Sequence, residues 1–121
     1  MRKKSNHAAG HFAERLAQVW LMLKGYRPIA RNVVTGRGTG AGEVDLIMKH
    51  GKTLVFVEVK QRPTLTKAIE AITIKNQMRV ARASAAFLAR HPAYRNGQVR
   101  YDAVLIAGWR IRHLPNAWRI L

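Results

Sequence analysis

Two kinds of apolar spacing alternate along the chain, and the places where one gives way to the other divide it into elements. Between residues 7 and 24, Phe12, Leu16, Val19 and Leu23 recur every three or four positions, which lines one side of a helix, and Gly25 supplies a stop. Residues 27–34 read as a strand. Gly36, Gly38, Gly40 and Gly42 follow at every second position, too permissive a backbone for a regular element, so residues 35–42 are expected as a mobile loop. Residues 43–49 and 53–60 alternate in the strand manner around His50-Gly51, which predicts a hairpin. The longest helix is expected at 67–90, with Ile74, Met78, Ala81, Ala85 and Leu88 as its apolar stripe, Lys75, Arg79 and Arg82 as a basic edge, and His91-Pro92 as its end. Residues 98–107 and 109–114 read as two more strands turning near Gly108, with a tail at 115–121. This order predicts an α/β fold with a mixed sheet flanked by helices on both faces.

At 121 residues the chain fits one domain, 1–121, with residues 1–6 expected as a flexible tail. Composition sharpens the picture through charge: 22 Lys and Arg against 6 Asp and Glu give a formal +16, spread along the whole length. Such an excess repels itself when compact and points to a polyanionic partner, nucleic acid ahead of a membrane surface, because no segment is a clean basic amphipathic helix. Cysteine is absent, which excludes thiol catalysis and Cys-based zinc sites. The expected setting is cytoplasmic.

The six carboxylates, Glu14, Glu43, Asp45, Glu58, Glu70 and Asp102, are the most informative residues in so basic a chain. A turn at His50-Gly51 pairs Glu43 with Glu58 and Asp45 with Phe56, and strand alternation then turns Glu43, Asp45, Glu58 and Lys60 to one side. Val44, Leu46, Met48, Val55, Val57 and Val59 form the opposite, core face. Three carboxylates so crowded repel by roughly several kcal/mol at an effective dielectric of about 20, so a positive partner is required. Lys60 is one candidate. A hard divalent ion, Mg²⁺ or Mn²⁺, is the other, with Asp45 and Glu58 as its ligands. The chemistry that follows is phosphodiester hydrolysis, Lys60 positioning the water or stabilising the charged transition state.

Asp45, a mostly apolar hairpin and then Glu58-Val59-Lys60 resemble the signature of the PD-(D/E)xK nuclease superfamily, although Val44 stands where its motif has proline. More closely, the chain resembles the bacterial YraN family of nuclease-like proteins, which is similar to archaeal Holliday junction resolvases. The matching stretches are Gly25-Tyr26, Arg31-Asn32, residues 42–47 and 56–62, Lys75, Arg100-Tyr101-Asp102 and Asn116-Ala117-Trp118. The resemblance implies a restriction-endonuclease-like fold and catalytic positions at Asp45, Glu58 and Lys60. It also implies an acidic helix residue at Glu14, action on DNA more than RNA, with branched substrates in view, and a homodimer, since symmetric cuts need two sites. Gly10, Ala17 and Leu21 share a side with Glu14, which permits close packing with its carboxylate toward the sheet without requiring it.

Plainer readings stand beside these. A Glu-x-Lys pair on a strand is usually solvated or a cross-strand ion pair, and Glu43 is expected in a supporting role, near the metal or paired with Arg62 or another base. The glycine loop lacks the Lys-Ser/Thr ending of a phosphate-binding loop, so it signals flexibility, with Arg37 available to a phosphate backbone. Arg62, Lys75, Arg79 and Arg82 are the further nucleic-acid contacts expected. His7 and His11 have a zinc-compatible spacing but no third ligand nearby. Asp102 is expected to pair with Arg100 or another arginine, although the resemblance leaves a functional role open. A catalytically inactive nucleic-acid-binding accessory protein with the same fold is the alternative function.

Overall fold

The computed structural model describes residues 2–119, with side-chain environments from residue 10 onward, Thr39 excepted. The His7 half of the dihistidine spacing lies outside the described side chains. One five-stranded sheet has the order β1 (Arg27–Thr35), β2 (Gly42–His50), β3 (Thr53–Gln61), β4 (Gln98–Ala107), β5 (Arg110–Trp118). All neighbours are antiparallel except β3 and β4, which run parallel. A parallel pair requires a crossover, and α2 (Leu65–Glu70) and α3 (Ile74–Arg90) supply it. The result is an α/β fold with a mixed sheet, consistent with a restriction-endonuclease-like architecture.

The two layers of core explain the apolar pattern. On one face α1 (Arg2–Leu23) lays Ala13, Ala17 and Leu21 against Leu46, Met48, Val55, Val57, Val59, Val104 and Ile106. Small residues on that side let the helix approach closely, and the side holding Glu14 is the one turned inward. The expected stripe is therefore corrected: Phe12, Val19 and Leu23 are exposed, and only Leu16 packs partly against the core. On the other face α3 buries Val80, Ala83, Ser84 and Phe87 against Ile47, Leu54, Phe56, Ala103 and Leu105. Ile74 and Met78, expected inside, point outward. Both helices have apolar residues on two sides, so periodicity alone could not choose the buried one.

The helix expected at 67–90 is two helices. Thr64 accepts from the Lys67 N–H and starts α2; Thr73 accepts from the Asn76 N–H while the Asn76 amide oxygen reaches back to the Thr73 N–H, a reciprocal cap that starts α3. The loop after β1 contains a short 3₁₀ turn at Gly38–Gly40, and β5 runs on to Trp118 through the stretch expected as a tail. The hairpin turn is Gly51-Lys52, with Gly51 at φ +59, so its register differs by two residues from the expected one. His50 pairs Thr53 and Leu46 pairs Val57. A shift of two preserves which face each side chain takes, and carrying the register one step further sets Asp45 opposite Glu58.

Alternation fails at one level. Val44 packs with the α3 layer, not with Leu46 and Met48 on the α1 layer, and Gly42 faces α3 so closely that a Cβ there would stand 2.5 Å from the Ala83 nitrogen. On β1, Ala30 and Val33, three apart, also share the α3 layer, with Asn32 between them at φ +52. Both strands thus change face together, between Val44 and Leu46 on β2 and around Asn32 on β1, while Arg31–Leu46 and Val33–Val44 keep one register. Asp45 sits where the faces switch.

Asp102 is wholly buried on β4 and locks the far side of the sheet. Its oxygens accept from Arg100 Nε at 2.8 Å and Nη2 at 2.9 Å and from the Asn116 N–H at 2.9 Å, and His113 Nε2 lies at 2.8 Å. Arg100 also donates to the Tyr26 hydroxyl at 2.6 Å, tying the sheet to the end of α1. Pairing with Arg100 is as expected; His113 and Asn116 are additions.

Candidate active site

Glu43, Asp45, Glu58 and Lys60 line one cleft of about 120 Å³, completed by Val59 and by Asn76 and Arg79 from α3. The backbone ladder between β2 and β3 ends at Leu46 and Val57, and beyond it Asp45 Oδ2 accepts the Val59 N–H at 2.7 Å. That bond fixes the carboxylate beside the residue that separates Glu58 from Lys60. Asp45 and Glu58 are both buried, at 9% and 6% exposure. Lys60 Nζ stands 3.8 Å from Glu58 Oε2. Glu43 instead accepts from Arg79 Nη2 at 2.7 Å, with both side chains partly open to solvent. Of the bases expected beside Glu43, the one it pairs with is Arg79 of α3 and not Arg62.

From the opposite layer α1 brings Glu14, whose carboxyl also meets Asp45. Because Asp45 lies where β2 changes face, it is reached from both sides of the sheet. Burial, then the Asp45 charge and hydrogen bond, push Glu14 up to about 7, while the Asn32 amide pulls the other way. Glu58 is pushed up to about 9, first by burial and then by its hydrogen bond and charge contact with Asp45, with Lys60 opposing. Glu14 and Glu58 therefore hold protons that they would give up to a cation. Glu14 Oε1 is buried without a hydrogen-bond partner, with His11 Nδ1 4.0 Å away. Among the described residues no three His, Asp or Glu side chains are clustered at ligand spacing. An ion here would draw on Asp45 and Glu58 and complete its shell with water and substrate oxygens, the habit of Mg²⁺. The residues present fit that group.

The basic residues separate into two surfaces around this centre. Lys75, Arg79 and Arg82 line a cleft of about 490 Å³ with Met78, Gly38 and Ala41, so α3 and the glycine loop form one wall. Arg62 lines a second cleft of about 280 Å³ with Glu14, Lys60 and Gln61. Arg37 is exposed on the glycine loop, in neither cleft. Two site residues escaped the sequence reading. Asn76 doubles as a helix cap and a cleft wall, and its cap signature, Thr-x-x-Asn, was the available signal. Asn32 was visible only as part of a matching stretch, since a left-handed residue inside a strand leaves no mark in the apolar pattern.

The fold and site together define a small α/β protein with a buried acid pair and an adjacent lysine under a basic surface. Residues 13–106 match the profile described as "Uncharacterised protein family UPF0102", and the chain belongs to that family. It is 54% identical to a UPF0102 protein of Paramagnetospirillum magneticum over 112 residues, covering 92% of this chain and 87% of the relative. A UPF0102 protein of Methylorubrum extorquens is 48% identical over 120 residues, covering 98% and 91%. Another from Nitrobacter winogradskyi is 42% identical over 119 residues, covering 98% and 97%. No described helix is long and apolar enough to cross a membrane.

Proposed function

We propose that the protein is a metal-dependent endonuclease of the PD-(D/E)xK type that hydrolyses phosphodiesters in DNA, branched DNA included. The observation that carries this reading is the buried pair Asp45 and Glu58 with Lys60 Nζ 3.8 Å from Glu58, opening into a cleft walled by Arg79. Asp45 and Glu58 would hold Mg²⁺ or Mn²⁺, which when bound supplies Lewis-acid polarisation of the phosphate. Val59 holds Asp45 in place through its N–H. Lys60 orients the attacking water or offsets charge developing on the phosphate oxygens. Glu14 adds negative charge behind Asp45, strengthening its hold on a cation. Lys75, Arg79, Arg82 and Arg62 flank the acids with the cations a phosphate backbone needs.

The test is metal-dependent cleavage of a four-way junction and of linear duplex by the native chain, Asp45→Asn, Glu58→Gln and Lys60→Ala. Each substitution is expected to lower the rate by about a hundredfold or more, the scale of removing a principal charge-stabilising group. Equal cleavage by all four proteins would assign the activity to a contaminant. Binding without cleavage would favour the accessory-protein reading.

A further inference from the structure

The three tryptophans occupy three different settings. Trp118 is buried with its ring 6.0 Å from that of Tyr101, and Trp20, 37% exposed, lies under the Lys24 ammonium at 5.6 Å. Trp109 is 94% exposed, at the tip of the β4–β5 hairpin and directly after Gly108, whose φ of +62 makes the turn. Hairpin tips ordinarily take Asn, Asp, Ser or Gly. An indole left this bare contributes almost nothing to the fold and leaves its whole face for a partner.

Its position specifies the partner. The parallel register sets Lys60 beside Leu105 and Gln61 beside Ile106, and the Arg62 N–H donates to the Ile106 carbonyl at 3.0 Å. The tip therefore projects from the same end of the sheet as Lys60 and Arg62. Counting from Ala103, which neighbours Glu58, at ~3.3 Å per residue along β4 to Ala107 and then across the turn puts Trp109 within about 20 Å of the acid pair. Cations mark the intervening and adjoining surface: Arg62 before the tip, and exposed Arg110 and Arg112 beyond it. Arginines alone grip any phosphate backbone, paired or not. A flat aromatic among them adds a choice, since base faces inside a duplex are already stacked and only an unpaired base offers one without a cost in unstacking.

We propose that Trp109 is a stacking platform for an unpaired base, so that the preferred ligand carries a single-stranded stretch or branch point within about 20 Å of the phosphate held at the acid pair. This rests on the nucleic-acid part of the function proposed above and is independent of turnover. The test measures binding by fluorescence anisotropy in EDTA, with labelled single-stranded, branched and fully paired DNA of equal length. Trp109→Ala is expected to weaken binding of the single-stranded and branched ligands by about tenfold or more, and that of the duplex by less than about twofold. Trp109→Phe should keep most of the affinity, and the melting temperature should not move in either variant. Equal losses on paired and unpaired ligands, or no loss on either, would overturn the proposal. If native protein binds DNA and discriminates through Trp109 yet cleaves nothing, the nuclease reading fails and this one stands.

Discussion

The raised Glu58 carboxyl makes a quantitative claim about the metal-free protein. In the unfolded chain this group ionises near 4.5, whereas in the fold it holds its proton up to about 9. Between those values the folded state binds one proton more than the unfolded state, so stability is fully present below about 4.5 and falls as pH rises. Each pH unit costs about 1.4 kcal/mol per proton, so going from pH 5.5 to 8.5 should cost about 4 kcal/mol from this site. That is a large share of the ~5–15 kcal/mol available to a domain. Glu58→Gln keeps a neutral, donating side chain beside Asp45 and removes the titration. Urea denaturation in EDTA across that range should show the native chain losing about 4 kcal/mol more than the variant. Millimolar Mg²⁺ should flatten the native curve by taking the proton's place, and leave the variant's nearly unchanged. Parallel curves for the two proteins would refute the desolvated acid beside Asp45.

Three further outcomes follow from the geometry. Gly42→Ala should destabilise by about 1–3 kcal/mol, read by chemical denaturation, because its methyl would meet the α3 backbone at Ala83, which cannot give way as a side-chain end can. Asp102→Asn should cost about 1–3 kcal/mol by replacing charge-assisted bonds to the half-buried Arg100 with neutral ones. Burial works against the Asp102 charge, but the hydrogen bonds from His113, Arg100 and Asn116 outweigh it and hold the carboxyl below 3.8, so its stabilisation is present above that value and is lost as pH falls further; an acid titration of native and variant chains should converge there. Lys75→Ala should weaken DNA binding similarly for all sequences and reduce the slope of log affinity against log salt by about one, measured by anisotropy at several salt concentrations.

Much of the fold was legible because strands announce themselves by parity. All five were placed to within a few residues, and even a hairpin register wrong by two left every side chain of β3 on its proper face. The gathering of Asp45, Glu58 and Lys60 was readable for the same reason. Helix faces were not, because α1 buries Ala13 and Ala17 while exposing Phe12 and Leu23: close approach to the sheet outranked side-chain size. The change of face around Asn32 and Asp45 was equally hidden, since Val44 is apolar and suits either layer. Its consequence is that Asp45 meets Glu14 as well as Glu58, a three-acid arrangement that strict alternation would have split.

β3 is the middle strand, paired with β4 along its whole length and with β2 as far as Val57, and covered by helices on both faces. Its amides should be among the slowest in the chain to exchange with deuterium, opening only with the whole molecule. Glu58 and Lys60 ride on that strand, so they form an anvil: accommodation of a ligand falls to the peripheral pieces, the glycine loop and the β4–β5 tip, while the chemistry stays put.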